Sequence, residues 1–161
     1  SGGTLLVIGS ANSWASEAGL LELVERPFDS DSLLAGTDWK SYGAARSAQW
    51  ISGAIFEAHL DPTHPLSFGI GDRLPLFVTG GTFFDPAAAP GGAVGVYAGS
   101  PRLSGWISDA RRPQVSGAAA ISVQRKGRGR VIGIHAYPAY RGYWRGGSRL
   151  IWNAVLFGPT L

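Results

Sequence analysis

Cysteine is absent from this chain of 161 residues. That removes disulfides, thiolate metal sites and thiol nucleophiles together, so a cysteine-dependent amidotransferase or protease is excluded by composition. The same absence does not separate compartments, because a secreted domain with an ample core can fold without bridges. Long hydrophobic runs are missing too: none approaches the roughly eighteen apolar residues a spanning helix needs, and no membrane span is expected. Charge is scarce, with 16% charged residues against 45% hydrophobic ones, the balance of a folded globular chain rather than a disordered one. Acidic residues stop altogether at Asp109.

What is present suits one domain, 1–161, able to bury a sizeable core. Fourteen Lys and Arg against eleven Asp and Glu leave a formal charge of +3. The excess owes much to "RKGRGR" at 125–130 and to Arg141, Arg145 and Arg149. With no aromatic platform beside it, the first cluster reads as a solvated hairpin tip, and no nucleic-acid partner is expected. The chain starts almost directly on "TLLVIG", without an initiator Met or a signal-peptide pattern. It therefore reads as an excised piece or a processed fragment, with any targeting signal lying upstream.

The apolar run at 4–9 has the character of a strand buried on both faces, which rarely opens a domain from its edge. Preceding strands are expected to be missing or supplied by another chain. Asn12 or Ser13 is the expected N-cap of a helix carrying Ala15, Ala18, Leu21 and Val24 and stopped by Pro27. Residues 27–49 read as a long polar excursion with one helical turn. A strand at 50–60 follows, then a turn, "DPTHPLSFGI", with a short helix or 3₁₀ turn between its prolines. Extended pieces are expected at 74–79, 82–85 and 93–99, with a flexible loop at 85–92. The clearest hairpin joins 117–124 to 129–137 through a turn in which Gly127 supplies a positive φ. A helix at 146–157 carries Leu150, Ile151, Ala154, Val155 and Phe157 toward the sheet.

Of three histidines, only His59 and His64 are close in sequence, and Pro62 breaks the segment between them. The spacing is not that of a zinc peptidase helix, so no metal site is expected. "VIGSANSW" sets Ser10 and Ser13 on a strand-to-helix turn, but a G-x-S-x-G elbow centred on Ser10 would need glycine where Ile8 and Asn12 stand. Ser10 with His135 is the candidate catalytic pair, and the helix start at Asn12 is a candidate site for an anion or carboxylate. His135 ends its strand on the side where open α/β sheets place their sites. Its sequence neighbours are Ala136, Tyr137, Pro138 and Ala139, so no local carboxylate orients it, and it reads as a hydrogen-bonded structural residue. "YRGYWRGGSRL" mixes arginine with aromatics in the manner of an interface; Tyr143, Trp144 and Arg145 are its candidate binding residues for a protein, sugar or peptide.

The succession "SGGTLLVIGSA", "GAIFEAHLDPTHPLSFGIGDRLPLFV", "LSGW" and "GRGRVIGIHAYPAYRGYWRGGSRLIWNAVLFG" spans most of the chain. It resembles the domain appended behind the catalytic domain in large bacterial zinc carboxypeptidase-like proteins of the carboxypeptidase A type. The resemblance implies a class I glutamine amidotransferase-like fold, a flavodoxin-like three-layer α/β/α sandwich, here without its first strand-helix units. It places the nucleophile elbow around Ser10 and Ala11, where active amidotransferases have cysteine. It also places His135 where they have His-x-Glu, with Ala136 and Tyr137 following instead. The implied function is a non-catalytic accessory domain that positions a zinc peptidase domain or its polymeric substrate. Zinc is then expected only in the upstream peptidase domain, with no cofactor in this segment. That upstream domain, a missing N-terminal part or a second copy of the chain are the expected partners, and a secreted or periplasmic location follows from the family. The rival expectations are a hydrolase using Ser10 and His135, and a carbohydrate- or peptide-binding module.

Overall fold

The structure, a computed structural model, describes residues 2–87, 92–142 and 144–161. Six strands, β1 (Thr4–Ile8), β2 (Ile51–Leu60), β3 (Arg73–Gly80), β4 (Ala93–Gly105), β5 (Ala119–Lys126) and β6 (Gly129–Ile134), form one sheet in the order β1-β6-β5-β4-β2-β3. β1 runs parallel to β6, and the pairings from β6 through to β3 are antiparallel. Helices α1 (Ala11–Glu17), α2 (Ser30–Leu34), α3 (Trp39–Ser47), α4 (Arg112–Val115) and α5 (Ser148–Phe157) complete a mixed α/β architecture.

Around β6 the sheet is buried on both faces, and alternation along the strand shows how. Ile132 and Ile134 point into the large cluster that holds Leu150 and Ala154 of α5. Val131 points the other way, to Val7, Ala15 of α1 and Leu21. The β5–β6 hairpin that sets this register turns at Gly127, with φ 59. On the α5 side, buried Asn153 donates from Nδ2 to the carbonyls of Leu66 and Phe68 at 2.8 and 2.9 Å. It thereby holds the 3₁₀ turn Pro65–Ser67 against the helix, and His64 caps that turn by accepting the Leu66 N–H at Nδ1.

The sheet curls. β3 is an outer strand, which is why Pro75 is tolerated within it. Its free edge meets the segment leaving β6: the Tyr137 N–H donates to the Phe77 carbonyl at 2.9 Å, and the Tyr140 ring stacks on Phe77 with centroids 4.2 Å apart. This closure brings the ends of β1, β6 and β3 together at one rim.

Several local expectations are corrected. The first helix stops at Glu17, because Gly19 takes a φ of 66 and the chain then runs extended, pairing Glu25 with Phe84. Its N-cap is Ser10 without a side-chain bond, while Asn12 is drawn inward, where burial lets it bond the backbone of two elements. Residues 27–49 hold two short helices, each capped by an aspartate, Asp29 for α2 and Asp38 for α3. At 82–85 there is only the Phe84 bridge. β4 extends to Gly105, so "SPRLSG" continues a strand through register shifts. The loop at 85–92 falls partly on 88–91, outside the described residues.

Replacing Asn153 by Ala strips a buried and a part-buried carbonyl of their donor, and urea unfolding is expected to register a loss of about 2 kcal/mol. Stability within about 0.5 kcal/mol of the parent, the range of an uninvolved surface change, would contradict this role.

Candidate functional site

At the rim where β1 and β6 end, a small cleft of about 90 Å³ is lined by Ser10, Ser13, Trp50, Thr82, His135 and Tyr137, among others. Past Trp50, Gly81 and Thr82 it continues into a wider concavity of about 420 Å³ bordered by Glu25, Phe28, Arg46 and Arg111. The turn from β1 into α1 is sharp, and its apex is Gly9, with φ 59. In a strand-to-helix nucleophile elbow the strained apex is the position that carries the nucleophile. Here that position has no side chain, and a Cβ built on it would lie 2.3 Å from Cζ of Tyr137. The tyrosine ring occupies the space, and its hydroxyl accepts from the Ser10 N–H at 3.4 Å. Ser10 itself is exposed, one residue beyond the apex.

His135 lines the same cleft, but the hydroxyl it meets is that of Ser122, with Oγ 3.0 Å from Nε2. Ser122 is fully buried on β5, so no substrate can reach that oxygen. Nδ1, where a catalytic dyad needs its orienting carboxylate, is buried with no hydrogen-bond partner among the described residues. Burial alone pushes the imidazole down to a pKa of about 4, because the charged form loses its hydration without gaining a counter-charge. The ring is held by Phe84, at 5.3 Å between centroids, and through its backbone: N–H to Ala120 and C=O from the buried Tyr97 hydroxyl at 3.0 Å.

Asn12 lies beneath the cleft rather than in its wall. Its Nδ2 donates to the carbonyls of Gly9 and Ile134, both at 2.9 Å, and so fastens the turn to the end of β6. Gly133 makes room for it, since a Cβ there would sit 2.5 Å from Asn12 Oδ1 and 3.5 Å from His135 Nε2. Trp144 and Arg145 line neither part of the cleft; Trp144 is half-buried at the entry to α5 and Arg145 is exposed. Tyr143 lies outside the described residues.

The outer wall is built by residues that the sequence reading passes over. Arg111 is buried, lies 3.4 Å over the Phe28 ring, and donates to the carbonyls of Gln49 and Gly81 at 2.8 and 2.7 Å. Gly81 lets the guanidinium lie close, since a Cβ there would fall 2.9 Å from it and push it aside. Arg26 pairs with Asp85 at 2.6 Å and donates to the carbonyls of Gln114, Ser116 and Gly117. These two arginines pin the segments at 24–28 and 81–85 to α4, leaving Trp50 57% exposed at the junction of the two concavities. The result is a preformed, partly aromatic groove in which no Ser, His and carboxylate converge among the described residues. Comparison with protein-family models gives no match, and a search of curated proteins finds none similar to this chain.

The depressed His135 pKa fixes a sign. Between its ordinary value of 6.5 and about 4, the unfolded chain takes up a proton that the folded chain refuses. Stability is therefore complete above about pH 6.5 and falls as pH drops through that window, by on the order of 3 kcal/mol. His64 is shifted the same way by burial, so the comparison is with His135→Gln. That variant is expected to flatten the melting-temperature profile between pH 6.5 and 4, and an unchanged slope would refute the assignment.

Proposed function

We propose that this chain is a non-catalytic, amidotransferase-like accessory domain that holds a polar segment, peptide or glycan, in the groove beside Trp50. The observation that carries this reading is the apex of the β1–α1 turn: a glycine under a tyrosine ring leaves no nucleophile where such a fold would present one. The imidazole nearby is desolvated, unoriented by any acid and bonded to a buried serine, which deprives it of acid-base work at neutral pH.

The finer fold assignment, a flavodoxin-like three-layer sandwich, draws support from the parallel β1–β6 pair, the strand-turn-helix at its end, and apolar clusters on both faces of β6. It accounts for that half of the sheet; the curled antiparallel part, β2 to β4, is outside what it explains. Attachment to a zinc carboxypeptidase-like partner rests on the sequence resemblance. On this reading the zinc belongs to the partner's domain, and the groove positions its polymeric substrate. Trp50 offers the flat apolar face that sugar rings and peptide planes stack on, and Arg46 and Glu25 supply charge at the rim.

The purified domain is expected to turn over neither peptide nor amide substrates, with or without zinc. It should bind cell-wall-derived peptides or glycans with a saturable change in tryptophan fluorescence, weakened at least roughly tenfold by Trp50→Ala, the scale of a lost stacking contact. Zinc-dependent cleavage by the isolated domain, or binding indifferent to Trp50→Ala, would count against the reading.

A further inference from the structure

At the opposite end of β6 from the cleft, Arg125 on β5 and Arg130 on β6 are direct cross-strand partners. Residues placed opposite each other in an antiparallel pair project to the same face, and like charges there are destabilising. That face is the α5 side: the next pair on the same face, Val123 and Ile132, packs with the main core. Arg125 is exposed, so water screens part of the repulsion without removing it. Arg130 is half-buried. No ion pair joins Arg125, Arg128 or Arg130 to a carboxylate among the described residues. Glu22 pairs with Lys126, on the other face of the hairpin, and the Asp61 carboxylate is taken by Thr63.

The two guanidiniums border concave surface on both sides. A hollow of about 360 Å³ is lined by Gly2, Gly3, Thr4, Arg125, Arg128 and Arg130. A second, of about 380 Å³, shares Arg125 and Arg130 and reaches His64. Each guanidinium spends one donor on a nearby backbone carbonyl, Arg125 on Gly127 at 3.3 Å and Arg130 on Gly129 at 3.2 Å. Each has five N–H donors in all.

From this arrangement we propose that the Arg125–Arg130 pair, with Arg128, is a binding site for a doubly charged tetrahedral oxyanion, a phosphate or phosphomonoester. Such an ion neutralises both facing charges and has enough acceptor oxygens for two guanidinium forks at once. A carboxylate would cancel only one charge, as would a lipid phosphodiester. The site is independent of the Trp50 groove and of the function proposed for it.

The test compares melting temperatures in inorganic phosphate and in chloride at equal ionic strength, pH 7.5. Wild type is expected to gain about 3 °C or more at millimolar phosphate by preferential binding to the folded state. Arg125→Gln and Arg130→Gln should each abolish that gain, and each should melt above wild type in chloride, since the repulsion is gone. Arg102→Gln, on β4, should keep the gain. Given a shift with inorganic phosphate, glycerol phosphate as a second probe separates a site that also admits an ester from one closed around the free ion. No phosphate shift in wild type, or an equal shift in Arg125→Gln, overturns the proposal, and Arg125, exposed near the hairpin tip, can be changed without touching the core.

Discussion

The close approach of the Tyr137 ring to Gly9 is the contact on which the rest of this rim depends. It is possible only because residue 9 has no Cβ and accepts a positive φ. The same tyrosine uses its backbone N–H to tie the exit of β6 to the edge of β3. One residue thus seals the turn after β1 and closes the curled sheet. Asn12 completes the arrangement from below by bonding the turn and the end of β6 together.

The chemistry of the rim follows from that seal. A strand-to-helix turn can present a reactive side chain at its apex, and this one presents a ring in its place. His135, left beside it, is surrounded by Phe84, Tyr97 and the buried Ser122, so its proton affinity is set by desolvation. What remains open is the groove past Trp50, whose walls are fixed by part-buried arginine bonds to backbone carbonyls. Shape is preserved there by interactions that leave the arginines' charge engaged with the fold.

Much of this half of the molecule was legible in the sequence. The hairpin around Gly127, the β2 strand and the Pro65 turn each carry a local signal that tertiary packing does not reverse, whereas of the stripe expected on α5 Leu150 and Ala154 are buried and Val155 is exposed. Their register also carries a signal for Ser122: with the hairpin turn fixed, Ser122 must stand opposite Gly133, beside the His135 ring. What could not be read locally depends on distant partners. Asn12 looks like a cap until β6 is packed above it. Residues 20–25 look helical until they bridge Phe84. The curl that brings Phe77 to Tyr137, 60 positions later by their numbering, has no periodicity to announce it. Arg111 is similar, an arginine whose burial is made tolerable by the Phe28 ring and by carbonyls and a side chain from distant segments.

On the proposed reading His135 activates neither Ser10, which stands past a sealed apex, nor Ser122, which is buried. The direct measurement is intact mass after prolonged exposure to a fluorophosphonate, with peptide mapping of any product. An unmodified chain is expected. A single stoichiometric adduct on Ser10 or Ser122, lost in His135→Gln, would contradict it.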